Sequence, residues 1–143
     1  MNMRIAKWLM LVAGLSTGCS DSAALKRHLE RADAFIERER YAEAVIEYIG
    51  ALKINPTNAA ALGSLGVAHM RNGDYARAYP ALRRALELDP ALPGVKTCLA
   101  ELYLGGGDPG EARRLTAEVL AGNPEDLDAL MVWSAAATDP AGV

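Results

Sequence analysis

Two cysteines, two histidines and one glycine-rich loop are the first places to look for chemistry in this chain. A thiol becomes a nucleophile where a cation or a helix N-terminus lowers its pKa. Cys98 sits in a helical pattern with no fixed basic neighbour, so an inert thiol is expected there. Zinc requires about four N, S or O donors, yet His28 and His69 are 41 residues apart with no nearby cysteine or paired carboxylate. No metal site and no cofactor are expected, and His69 reads as a side chain filling a helix seam. The stretch LGGGDPGEA, residues 104–112, has the glycines of a phosphate loop, but Glu111 stands where the lysine of that loop must be and no strand precedes it. It reads as a turn. No set of nucleophile, base and oxyanion donor assembles from the remainder, so the chain is read as a binding module and not as an enzyme.

Cys19 raises a different chemistry. Before it come a basic start, MNMRIAK, an apolar core, WLMLVAGL, and a small-residue tail, STG, which is the layout of a signal peptide over residues 1–18. A core of about eight residues is short of the roughly 20 that a helix needs to span a bilayer. The leader resembles a bacterial lipoprotein signal on Leu15, Thr17, Gly18 and Cys19, with Ser16 at the place where such signals usually carry leucine. That resemblance implies lipidation of Cys19 and a membrane anchor. Two or more acyl chains, at about 0.8 kcal/mol per buried methylene, hold stably. With its sulfur in a thioether, Cys19 would leave Cys98 without a disulfide partner. A short tether over residues 19–24 is expected to keep the folded part close to the bilayer. Ser20 directly after the cysteine, by analogy with enteric lipoproteins, favours the outer membrane, facing the periplasm.

Charge narrows the partners. The chain has 15 basic and 18 acidic groups, a net −3; Arg4 and Lys7 belong to the leader, so the remainder stands at −5. Phosphate backbones are bound by clustered, uncompensated Lys and Arg. Pairs such as Arg83-Arg84 and Arg113-Arg114 in this acidic setting read as solvated helix faces, and nucleic acid is not an expected partner.

The elements that would position any site follow a repeat. Pro56, Pro90 and Pro124 recur at 34-residue intervals, closing the phrases ALKINP, ALELDP and VLAGNP. Small residues share offsets from them: Ala32, Ala44 and Ala51, then Gly66, Ala78 and Ala85, then Ala100 and Ala112. Phe35, His69 and Tyr103 are in register, as are Tyr48 and Leu82. The pattern resembles the tetratricopeptide repeat (TPR) over residues 25–126. The resemblance implies an all-α, right-handed solenoid of three helix pairs, residues 25–58, 59–92 and 93–126, followed by a seventh helix at 127–138 that caps the array or begins a further repeat. Small residues let paired helices approach closely while larger ones fill the seams. Departures occur at His28, Arg31 and Lys96, where Leu62 and Leu65 mark the apolar pattern, and at Thr116 and Val119. Asp108, Pro109 and Glu111 predict a helix start with a capping box. Pro80 is expected to bend the second helix of copy two.

In such repeats the first helices line a concave groove. Here the groove positions are Leu29, Asp33 and Ile36, then Gly63, Val67 and Met70, then Thr97, Glu101 and Leu104, mildly apolar with an acidic tint. Apolar residues at helical spacing are equally read as core. Members that grip a free C-terminal carboxylate use Lys, Arg and Asn at these positions, and none stands there, so carboxylate-clamp work is not expected. The stretch from Tyr41 to Gly66, behind a cysteine-led start, is similar to the opening of bacterial repeat lipoproteins that accompany exopolysaccharide export and surface-protein sorting. The expected function is a membrane-anchored scaffold that binds other proteins or peptides in the cell envelope. The alternatives are a pilotin-like assembly factor for an outer-membrane pore and an envelope thiol enzyme acting through Cys98.

Overall fold

The computed structural model describes residues 16–138, without the side chains of residues 16–19 and 93. Among these residues there are seven helices and no strand: α1 (Ser16–Ile36), α2 (Tyr41–Ile54), α3 (Ala59–Arg71), α4 (Tyr75–Leu88), α5 (Pro93–Gly105), α6 (Pro109–Gly122) and α7 (Leu127–Thr138). The expected leader lies outside the described residues up to residue 15, and the lipid-bearing side chain expected at Cys19 lies outside them too. No described helix is long and apolar enough to cross a membrane. The tether expected over residues 19–24 is helical, because α1 already begins at Ser16. Between Gly18 and the end of α1 at Ile36 no glycine or proline interrupts the chain, and Ala23, Ala24 and Leu25 are strong helix formers.

The 34-residue period of the sequence is a period of the backbone. Each first helix of a pair ends in the same turn: the N–H groups of Glu39, Gly73 and Gly107 donate to the carbonyls of Ile36, Met70 and Leu104 at 2.9, 3.0 and 3.1 Å. Those three residues have φ of 56°, 79° and 82°. Each second helix ends on Asn55, Asp89 or Asn123, whose N–H donates to Ala51, Ala85 or Val119 with φ between −141° and −129°. An extended residue before proline is what the proline ring imposes. Asn58, Asp74 and Asp108 cap the helices that follow them, their side chains accepting from the N–H three residues on. The capping box expected at α6 is only half formed. Asp108 accepts from Glu111 N–H at 3.0 Å, but the Glu111 carboxylate pairs with Arg114 and Asp108 N–H donates to the Tyr103 carbonyl.

The chain divides after Pro56 into two compact units. In the first, α1 packs on α2 through Ala32, Ala44, Tyr48 and Ala51, all buried. The polar departures of this copy are paired: His28 Nδ1 lies 2.6 Å from Glu47 Oε2, and Arg31 lies 3.7 Å from Glu47 Oε1. Gly50 makes room for the His28 ring, which stands 2.7 Å from where a Cβ would be.

In the second unit, α3 and α4 cross with Gly66 against Leu82. A Cβ at Gly66 would meet Leu82 Cγ at 2.5 Å and its backbone nitrogen at 3.1 Å. Ala78, Leu82 and Ala85 are fully buried on the facing side. The core continues through Val95, Leu99, Ala100, Ala112 and Leu115 to Val132 and Ala136 of α7. Thr116 is fully buried where Leu82 stands one copy earlier, and it is tolerated because its hydroxyl donates to the Ala112 carbonyl at 2.8 Å. Lys96, the other departure, reaches Glu118 at 2.9 Å. Pro80 leaves α4 assigned as one unbroken helix from Tyr75 to Leu88. The ring is exposed, so the Ala76 carbonyl that loses its partner is left on the wet side of the helix.

Candidate functional site

The first helices of the second unit, α3, α5 and α7, touch in sequence, α3 with α5 and α5 with α7. Two hollows open along them. One of about 520 Å³ is bounded by Met70, Arg71, Tyr75, Glu101, Leu102 and the glycines 105 and 106. The other, of about 260 Å³, is bounded by Glu101, Leu104, Asp128, Met131, Val132 and Ala135. Glu101 belongs to both.

The expected groove residues separate on this geometry. Met70, Glu101 and Leu104 line the hollows. Val67 is half-buried and packs on the core. Gly63 lies in a closed seam, since a Cβ there would stand 2.6 Å from Val95 Cγ2, and Thr97 is buried at 4% exposure. Gly63 is closed off because the approach of α5 fills the space in front of α3, and Thr97, on α5 itself, is buried in turn. In the first unit Leu29 and Ile36 are half-buried, and Asp33 accepts from Tyr48 Oη at 2.8 Å, which turns it toward its own second helix. Arg71, Tyr75, Asp128 and Met131 went unrecognised in the sequence. For Met131 the signal was present: the offset that relates Gly63 to Thr97 leads on to Met131, and the one that relates Val67 to Glu101 leads to Ala135.

Electrostatics single out Glu101. Among the described residues its carboxyl has no hydrogen bond or ion pair. Burial pushes its pKa up, Arg71 opposes that, and Asp128 adds to it. Cys98 beside it is pushed up to about 11, by burial first, then by Glu101, with Asp128 adding and Arg71 opposing. Its thiol therefore stays protonated at neutral pH and lacks the thiolate that nucleophilic chemistry needs. A third hollow, of about 590 Å³, lies on the second-helix side and contrasts with the groove. Most of its charges are paired within the fold: Arg83 with Glu87, Lys96 with Glu118, and Arg114 with both Glu111 and Glu118, while Asp108 caps α6. His69 is a seam residue, 6% exposed. Its Nδ1 lacks a hydrogen-bond partner, with Asp74 Oδ2 at 3.7 Å.

Helix pairs with this turn, this crossing and this period define a tetratricopeptide-repeat protein. Two family models, each described as tetratricopeptide repeat, match residues 29–93 and 69–132, and the chain belongs to that family. It is similar to cellulose synthase operon protein C of Komagataeibacter xylinus, 48% identical over 59 residues, 41% of this chain and 4% of the relative. It is also similar to the protein of the same name from Pseudomonas fluorescens (strain SBW25), 34% identical over 84 residues, 59% of this chain and 6% of the relative. The chain thus spans a small fraction of the length of these relatives. Among solved structures, the first TPR of Spaghetti (RPAP3) bound to the HSP90 peptide SRMEEVD superposes with a TM-score of 0.76 at 17% identity, covering 81% of this chain and 92% of that one.

Proposed function

We propose that this protein is a non-catalytic TPR scaffold that recruits protein partners through the α3, α5 and α7 face of its second unit, and that a lipid on Cys19 anchors it in a bacterial envelope, on the periplasmic side of the outer membrane. One observation carries the recruiting role: two apolar-walled hollows adjoin on the first-helix face and share an unpaired, half-buried Glu101. The likeness to the RPAP3 domain, which is bound to an HSP90 peptide, supports a groove of this kind. The likeness to cellulose synthase operon protein C supports a setting in exopolysaccharide export. The anchor rests on the leader and its terminal cysteine.

Photo-crosslinking in intact bacteria tests the recruiting role. A crosslinker at Met131 or Leu104 is expected to trap a defined protein band, and one at Glu87 on the second-helix side is not. Equal trapping at all three positions would argue against the groove. Detergent phase partitioning tests the anchor separately: the wild type enters the detergent phase and Cys19→Ser does not.

A further inference from the structure

The two hollows differ from an ordinary apolar groove in what stands between them. Leu104, Met131, Val132 and Ala135 wall one side, and Met70, Tyr75 and Leu102 wall the other. Tyr75 and Met131 are 61% and 71% exposed, so both are open to a partner. At the junction stands Glu101, with Asp128 facing it from α7 and Arg71 from α3. Two carboxylates face one guanidinium, and neither Glu101 nor Asp128 has an ion-pair partner among the described residues. The Cys98 thiol, close to Glu101, stays neutral. By contrast Glu118, which also reaches across to a neighbouring helix, is matched by Lys96 there and by Arg114 on its own helix.

We infer that the segment this groove receives is a basic one, a peptide that sets a lysine or arginine between Glu101 and Asp128 and seats apolar side chains in the hollows on either side. This rests on the reading that the face receives partners, and it specifies their chemistry. A half-buried carboxylate has lost hydration without gaining a partner, and a cation arriving from outside restores that loss. An acidic segment would meet two like charges against a single guanidinium, Glu101 half-buried and Asp128 exposed beside it. Apolar side chains in the flanking hollows supply contact area that a cation alone lacks.

Selection of short random peptides displayed on phage against the full-length protein tests this. The expected result is enrichment of Lys or Arg flanked by large apolar residues. A synthetic fluorescent peptide of the selected sequence should then lose about tenfold or more in affinity on the double change Glu101→Gln and Asp128→Asn, with the melting temperature preserved, and its binding should weaken with added salt. Enrichment of acidic or uncharged peptides whose binding is lost on Met131→Asp would overturn the basic preference and leave the groove standing. Failure to select any peptide, or selection of peptides indifferent to both Met131→Asp and Leu104→Asp, would overturn the groove and the preference together.

Discussion

Glu39 holds a φ of 56° at the position where Gly73 and Gly107 stand one and two repeats later. The turn demands a left-handed residue, since its N–H must fold back to the carbonyl of Ile36. A side chain in that conformation costs about 1 kcal/mol relative to glycine. Glu39→Gly is therefore expected to stabilise the first unit by about 0.5–1 kcal/mol, read as an upward shift in a urea midpoint. His69 sets a second expectation. Burial lowers its pKa from the ordinary 6.5, with Asp74 opposing and Arg77 reinforcing. The folded state thus favours the neutral ring: the associated stability is present above about pH 6.5 and is lost as the pH falls through the lowered value. His69→Leu, which keeps the volume and removes the unpartnered Nδ1, should raise the melting temperature and flatten its decline as the pH falls below about 6.5. An unchanged decline would place the acid sensitivity elsewhere.

At the scale of the helix pair, the crossing of α3 and α4 depends on an absent side chain. A Cβ on Gly66 would stand 3.1 Å from a backbone nitrogen of Leu82, which cannot turn aside as a side-chain tip can. Gly66→Leu should cost about 1–3 kcal/mol through overpacking. Gly66→Ala should also destabilise, against the helix-propensity gain of about 1 kcal/mol that alanine brings elsewhere. Pro80 predicts the opposite sign. The ring is exposed and interrupts a helix that runs on unbroken, so Pro80→Ala returns a hydrogen bond and should stabilise by about 1–3 kcal/mol. Chemical denaturation of these three variants, followed by circular dichroism, checks both signs.

At the scale of the molecule, α7 closes the second unit. Its buried face, Ala129, Val132 and Ala136, lies against the core of the third repeat, while Leu127, Met131 and Trp133 remain open. Val132→Asp would leave an unpaired charge among Leu99, Leu115 and Ala136 and should cost several kcal/mol, enough to unfold a unit of this size. Trp133→Asp, one residue on but 43% exposed, should stay within about 0.5 kcal/mol of the wild type. Thermal melting of the pair separates a helix that completes the core from one that merely follows it.

Much of this architecture was written in local terms. The recurrence of Pro56, Pro90 and Pro124, the small residues at fixed offsets and the Gly-Asp turns each have a short-range cause, in a φ value, a cap or a close approach, so the sequence alone determined the helix pairs and their period. The acidic tint of the first-helix face was legible in the same way. What only the tertiary structure decided depends on which helix comes to lie in front of which. Gly63 has a groove offset but is closed off by the approach of α5, and Thr97, on α5, has one but is buried. Asp33 is drawn toward Tyr48. Asp128, some 27 residues from Glu101 along the chain, becomes its neighbour only when α7 docks beside α5. Half of an unpaired acidic junction lay on a helix that the repeat pattern identified as a cap or the start of a further repeat. A helix's own periodicity states which residues share a face, but whether that face meets water, a core or another charge is settled by the neighbour that packs against it.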